Sequence, residues 1–171
     1  MKVTHLEVPP RTPEVFAFWE EAKAACPDEP FTDGFALRSL TKNKPMSKQL
    51  VSLVIAGEKR GTASLPWAFE ATPEDYPREG QYLILCTADG TPGVLVQLER
   101  VWAMPFNEVT EAQSELEGAP IRAIEKWRQV HWAYWKTLMR KADRGEPSED
   151  MTVLCQKFRV VYVPPETEAA A

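Results

Sequence analysis

The residues Gly57-Glu58-Lys59-Arg60-Gly61-Thr62-Ala63-Ser64-Leu65-Pro66-Trp67 gather the groups from which a small binding or catalytic site is built. Lys59 supplies a charge whose proton affinity moves readily on burial. Thr62 and Ser64 carry hydroxyls that can donate, accept or attack. Arg60 adds a fixed positive charge, and Trp67 offers a face on which a base can stack. Lys59 and Thr62 are three residues apart, and Thr62 and Ser64 two apart. If a strand begins at Gly61, both hydroxyls point to one face and Lys59 reaches that face from the preceding turn. The competing reading is a plain helix-to-strand turn with surface charges, because Gly and charge punctuate most turns.

The elements around this stretch follow from patterning. Leu50, Val51, Val54 and Ile55 share a face, which predicts a helix starting near Ser47. Gly57 suits the left-handed residue just beyond its end. Upstream, Thr12-Pro13-Glu14 reads as a helix cap, and that helix stops at Pro27. Residues 27–45 read as irregular. Downstream, Glu70 to Gly80 reads as an acidic loop. Residues 81–87 and 94–102 form a hairpin around Asp89-Gly90. Asn107 to Glu117 is an acidic short helix or turn. A long helix opens at Pro120 and runs to Ala142, and a last strand spans residues 151–163. Trp127, Trp132, Tyr134 and Trp135 are too many rings for one helical face. His131 stands among them, as a packed side chain or as part of a cleft. Strands with helices between them place the chain in the α+β class, as a small barrel or curved sheet with helices packed outside.

With 171 residues and 44% hydrophobic content, the chain has enough material for a full core. It contains no apolar run near the ~20 residues that span a membrane and no apolar signal core after Met1, so the expected location is cytoplasmic. Cys26, Cys86 and Cys155 are far apart. They suggest neither a disulfide framework nor a zinc site, so no metal ligand is assigned. The net charge of −5 argues against a protein that coats nucleic acid. Locally, however, Arg38, Lys42, Lys44, Lys48, Lys59 and Arg60 are opposed only by Glu58. Such a stretch is either a solvated helix face or a means of steering an anion.

Gly57-x-Lys59-x-x-Thr62-x-Ser64-Leu65-x-Trp67 resembles the signature of the ASCH domain, a relative of the PUA RNA-binding fold. The resemblance covers residues 35–163. It extends to Pro105-Phe106-x-Glu108-Val109, to Trp127-Arg128-x-Val130-His131-Trp132, and to Ser148-Glu149-Asp150-Met151 entering the last strand. It implies a PUA-like, partly open β-barrel with helices packed outside it, preceded by an N-terminal helical extension over residues 1–34. Residues 164–171 would form a disordered tail. The family includes RNA-binding modules, small hydrolases of N4-acetylcytidine and a metal-dependent ribonuclease.

In the small hydrolases the catalytic set is a lysine, a threonine three residues on and a distant glutamate. The resemblance puts these at Lys59, Thr62 and Glu117, with Glu111 and Glu115 as alternatives for the acid. Arg60, Ser64, Trp67, His131 and Trp132 are then the expected substrate contacts. Thr62 would attack the amide. Lys59 can take its proton only when neutral; held in a tight ion pair, it would instead bind an anion or stabilise an oxyanion. No cofactor is expected for a hydrolase. A ribonuclease would need a divalent metal, held by acids from Glu108 to Glu117. The expected partner is a modified nucleoside or RNA, with no membrane. This chain departs from the small hydrolases by its N-terminal helix, by the Ala63-Ser64-Leu65-Pro66-Trp67 continuation and by its long aromatic helix. Those differences bear on which substrate fits.

Overall fold

The computed structural model describes residues 8–32 and 34–165. Its elements in chain order are α1 (Pro13–Ala25), β1 (Ala36–Ser39), α2 (Lys44–Ile55), β2 (Gly61–Ser64), β3 (Tyr82–Cys86), β4 (Pro92–Pro105), α3 (Glu111–Ser114), α4 (Ile124–Lys141) and β5 (Thr152–Tyr162). Short 3-10 turns occupy several connections, among them Pro66–Phe69 and Glu115–Glu117. The strands form one sheet in the order β1-β3-β4-β5-β2. β1 runs parallel to β3, whereas β3 with β4 and β2 with β5 are antiparallel. The α+β class expected from the sequence is the class observed. No helix among the described residues is long and apolar enough to cross a membrane.

The chain divides into two compact units, each assembled from separated stretches. One contains Val8–Gly57, Arg78–Arg100 and the chain from Phe158. In it, Thr12 caps α1, its hydroxyl accepting from the Val15 amide at 3.3 Å. The helix buries Val15, Phe18, Trp19 and Ala22 against Phe35, Leu37, Tyr82, Ile84, Cys86 and Leu95. The Trp19 and Phe35 rings lie 5.1 Å apart. The helix expected as an N-terminal extension thus supplies one wall of this unit's core. Glu29, just beyond α1, accepts from the Tyr82 hydroxyl at 2.8 Å and pairs with Arg159 of β5.

Residues 27–45, read from sequence as irregular, contain β1 and the first turn of α2. β1 has four residues, too few to display a period, and its Arg38 is buried. Pairing with β3 makes it a strand; propensity does not. The start of α2 lies before Ser47 because Pro45 sits in the first turn, where a missing amide hydrogen costs nothing. Asn43 caps that turn by accepting from the Met46 amide at 2.9 Å. Gly57 ends the helix as expected, with φ +78° and its amide donating to the Val54 carbonyl at 3.0 Å. Of the tail expected over residues 164–171, Pro164 and Pro165 are described, with Pro164 buried; residues 166–171 and the first seven residues lie outside the described residues.

The second unit contains Glu58–Pro77 and Val101–Lys157. Its core gathers Leu65, Phe106, Val109, Ile124, Trp127, Trp135, Met139, Val153 and Cys155. β2 and β5 pair with Thr62 opposite Gln156 and Ser64 opposite Leu154. Lys59, Glu117, Trp127 and His131, with which the site below is built, all belong to this unit.

Candidate active site

Two turns bring a cation and an acid together across 58 residues of chain. The first follows α2 and carries Lys59. The second is the 3-10 turn Glu115–Glu117. They are tied by the Arg60 amide, which donates to the Leu116 carbonyl at 2.7 Å. Gly61 permits this approach. A Cβ there would sit 2.5 Å from the Gln156 carbonyl oxygen and 2.9 Å from Leu116 Cβ. Backbone and side chains close in on both flanks, so only glycine fits.

Lys59 and Glu117 are both buried, at 4% and 3% exposure. Lys59 Nζ donates to Glu117 Oε2 and, at 2.8 Å, to the Gly61 carbonyl. The other carboxylate oxygen, Oε1, accepts from the Trp127 indole N–H at 3.3 Å. It also faces His131 Nε2 at 3.6 Å. Trp127 is fully buried in the first turn of α4, and the His131 ring stacks on it one turn later, 4.3 Å between centroids. His131 Nδ1 lies 2.9 Å from the Trp127 carbonyl. A carbonyl can only accept, so Nδ1 carries the proton and the neutral ring presents a bare Nε2 toward Glu117. Trp135 flanks the ring at 5.0 Å.

These contacts fix the charges. Burial alone would raise the Glu117 carboxyl. The Lys59 charge, that of His131 once acid protonates it, and the hydrogen bonds from Lys59 and Trp127 outweigh it and hold the group below the usual carboxylate range. His131 is lowered, first by burial and also by the Lys59 charge, against the opposing pull of Glu117 and the Trp127 carbonyl. At neutral pH the site is therefore a charged Lys59–Glu117 pair beside a neutral imidazole.

Of the three acids considered for pairing with Lys59, Glu117 is the one in contact; Glu111 and Glu115 are exposed. Thr62 is half-buried in β2, and neither hydrogen bond of Lys59 goes to its hydroxyl. Its carbonyl accepts from Gln113 Nε2 at 3.3 Å. Ser64 accepts from Gln156 Nε2 at 3.3 Å. Arg60 is exposed. Trp67 and Trp132 are half-buried and pack on the core; the Arg144 guanidinium covers the Trp67 ring at 4.9 Å, and Phe106 lies 5.4 Å from Trp132. Within the basic stretch, Arg38 and Lys59 are buried, whereas Lys42, Lys44, Lys48 and Arg60 are exposed. Glu108, Glu111 and Glu115 are exposed while Glu117 turns inward to Lys59. Among the described residues, no three His, Cys, Asp or Glu side chains converge as a metal site requires.

Two participants escaped the sequence reading. Trp127 read as one ring of an aromatic helix, although its indole N–H is a donor to the buried acid. Gln113 is buried in α3, with Nε2 on Thr62 and with Oε1 lacking a hydrogen-bond partner among the described residues. It stands in an acid-rich run where the acids drew the attention.

The sequence model of the ASCH domain family matches residues 38–162. Two solved structures share the fold. An ASCH domain from Lactobacillus crispatus JV V101 is 21% identical, with a TM-score of 0.74 over 86% of this chain and 93% of that one. A protein from Enterococcus faecalis V583 is 24% identical, with a TM-score of 0.76 over 91% of this chain and 93% of that one. These likenesses show the PUA-like fold anticipated from the sequence. No protein with a curated function matches the chain.

Proposed function

The chain belongs to the ASCH domain family, and from that premise we propose that it acts on RNA-derived or modified nucleosides, hydrolysing the amide of N4-acylcytidine-type substrates. The observation that carries this reading is the buried Lys59–Glu117 pair, with Lys59 three residues ahead of Thr62 at the start of β2. A desolvated ion pair is a poor stabilising device. Well-packed apolar residues often do as well or better in its place. Strongly perturbed, coupled titratable groups are instead a mark of functional sites.

In this reading the Thr62 hydroxyl attacks the acyl carbon. Its proton passes to Lys59 once that amine is neutral. The acyl carbon–N4 bond then breaks, and Lys59 returns the proton to the departing cytidine nitrogen. Water cleaves the Thr62 ester, releasing the carboxylic acid and restoring the hydroxyl. At rest Lys59 is committed to Glu117 and the Gly61 carbonyl. It must give up a proton, and exchange the carbonyl for Thr62, before the first step.

The two other readings have weaker support. An RNA-binding module would use the basic stretch and the rings of Trp67 and Trp132. Lys42, Lys44, Lys48 and Arg60 of that stretch are exposed, but Arg38 and Lys59 are buried and both half-buried rings are packed against other side chains. A metal-dependent ribonuclease would need converging acids, and among the described residues none converge. The free thiols of Cys26, Cys86 and Cys155 suit a reducing compartment, which supports a cytoplasmic setting. The test is release of cytidine from N4-acetylcytidine and longer N4-acyl analogues by the purified protein. Lys59→Ala and Thr62→Ala should each abolish release. Absence of turnover across the panel by the unmodified protein would overturn the proposal.

A further inference from the structure

Glu117 is shared by two nitrogens. Oε2 holds the Lys59 ammonium, and Oε1 faces His131 Nε2 at 3.6 Å. A carboxylate at 3% exposure cannot stay ionised without a cation beside it. If Lys59 sheds its proton to act as a base, something else must become that cation. The groups facing His131 are Glu117 and Lys59 from the two turns, and Trp127 and Trp135 from its own helix. Of these partners, His131 alone is a neutral base able to take up a proton next to the carboxylate.

We propose that His131 is the alternate counter-ion of Glu117, gaining a proton when Lys59 loses one and so allowing the lysine to work as a base. The proton leaves Lys59 Nζ for Glu117 Oε2. The carboxyl group rotates to exchange its oxygens and delivers a proton to His131 Nε2. The state before is Lys59 positive, Glu117 negative and His131 neutral. The state after is Lys59 neutral, Glu117 negative and His131 positive. Atoms and net charge balance: Glu117 is a neutral acid only while it relays the proton, and in both end states its carboxylate faces one cation. The stacked Trp127 ring and its carbonyl hold the imidazole in the tautomer that leaves Nε2 free. At 12% exposure, His131 is also the most solvent-accessible of the three charged or chargeable groups, so a positive charge is less costly to desolvate there than on Lys59. Burial lowers the proton affinity of His131 most, but the Glu117 charge raises it and the Lys59 charge lowers it, so losing the lysine's charge favours a proton on the imidazole. The catalytic part of this inference rests on the hydrolase reading; the coupling of the three groups does not. His131, expected from the sequence as a substrate contact, becomes a positioning residue for the proton on Lys59.

The test is nitrogen-15 NMR of the histidine rings in the whole protein. At neutral pH His131 should be neutral with its proton on Nδ1. Lys59→Met should raise the pKa of His131 by about one unit or more, because an opposing charge is removed and the Glu117 charge is left unmatched. Glu117→Gln should shift it the other way, and serves if Lys59→Met does not fold. An unchanged His131 titration in a folded variant, or a proton on Nε2 in the neutral ring, would overturn the proposal. On N4-acetylcytidine, His131→Asn should lower kcat roughly a hundredfold with little change in KM. Its deficit should shrink as bulk alkali deprotonates Lys59. A uniform deficit at all pH values would mark a merely structural role and contradict the proposal. If the NMR coupling is found but no acylcytidine is cleaved, the charge exchange stands and the substrate assignment falls.

Discussion

The Arg60 amide donates to the Leu116 carbonyl at 2.7 Å, one residue away from each member of the Lys59–Glu117 pair. That single backbone bond sets the distance across which the buried cation and acid meet. It exists because Gly61 leaves room for the two turns to touch. Gly61→Ala would drive a methyl into the Gln156 carbonyl and Leu116. Backbone cannot rotate away as a side chain can. We expect a loss of about 3 kcal/mol, at the upper end for overpacking, read as a lower urea midpoint with unchanged slope. Any enzymatic activity should fall further than stability, since the Gly61 carbonyl also holds Lys59.

Trp127→Phe tests the donor that sequence reading missed. Phenylalanine keeps an aromatic surface under His131 but cannot donate to Glu117. Losing a hydrogen bond to a buried charged group costs about 1.5–3 kcal/mol, and the smaller ring leaves a void besides. Chemical denaturation should show at least that loss. The Glu117 carboxyl should also titrate at a higher pH than in the unmodified protein, which carbon-13 NMR of the side chain can follow.

How much of this could be read in the chain depends on whether the signal was local. The Thr12-Pro13 cap, the Gly57 stop and the Asp89-Gly90 hairpin each declare themselves within a few residues, and each stands where expected. β1 does not, because its buried four residues become a strand only through β3, 47 positions away at Ala36 and Leu83. The start of α2 was hidden because proline breaks a helix interior but suits a first turn. The site divides in the same manner. The Lys59-to-Thr62 spacing is visible in the sequence. Which of Glu111, Glu115 and Glu117 turns inward is decided by the chain path of a 3-10 turn, and no residue type reveals that. Nor does sequence say which nitrogen of His131 faces the acid; the Trp127 carbonyl one helical turn earlier decides it.

Acid should weaken the fold in two stages. Unfolded His131 binds its proton near 6.5, whereas the folded residue binds it only at lower pH. Between those values the unfolded chain holds more protons, so lowering the pH favours unfolding. Glu117 acts in the same direction: its folded pKa lies below the ordinary 4.5, so its contribution is complete above that value and is lost as pH falls through the folded one. Urea midpoints measured from neutral pH downward should therefore decline first below 6.5 and again below 4.5. His131→Asn should flatten the first decline, and Glu117→Gln the second.

The buried pair itself carries the central claim, and removing it whole separates function from folding. Lys59→Met or Glu117→Leu alone strands a buried charge and should cost about 3–5 kcal/mol. The double variant Lys59→Met/Glu117→Leu strands none, and should regain most of that stability. The decisive measurement is cytidine release from N4-acetylcytidine by this stable double variant beside the unmodified protein. The account predicts turnover by the unmodified protein and none by the double variant. Equal rates in the two, or no turnover in either, would contradict it.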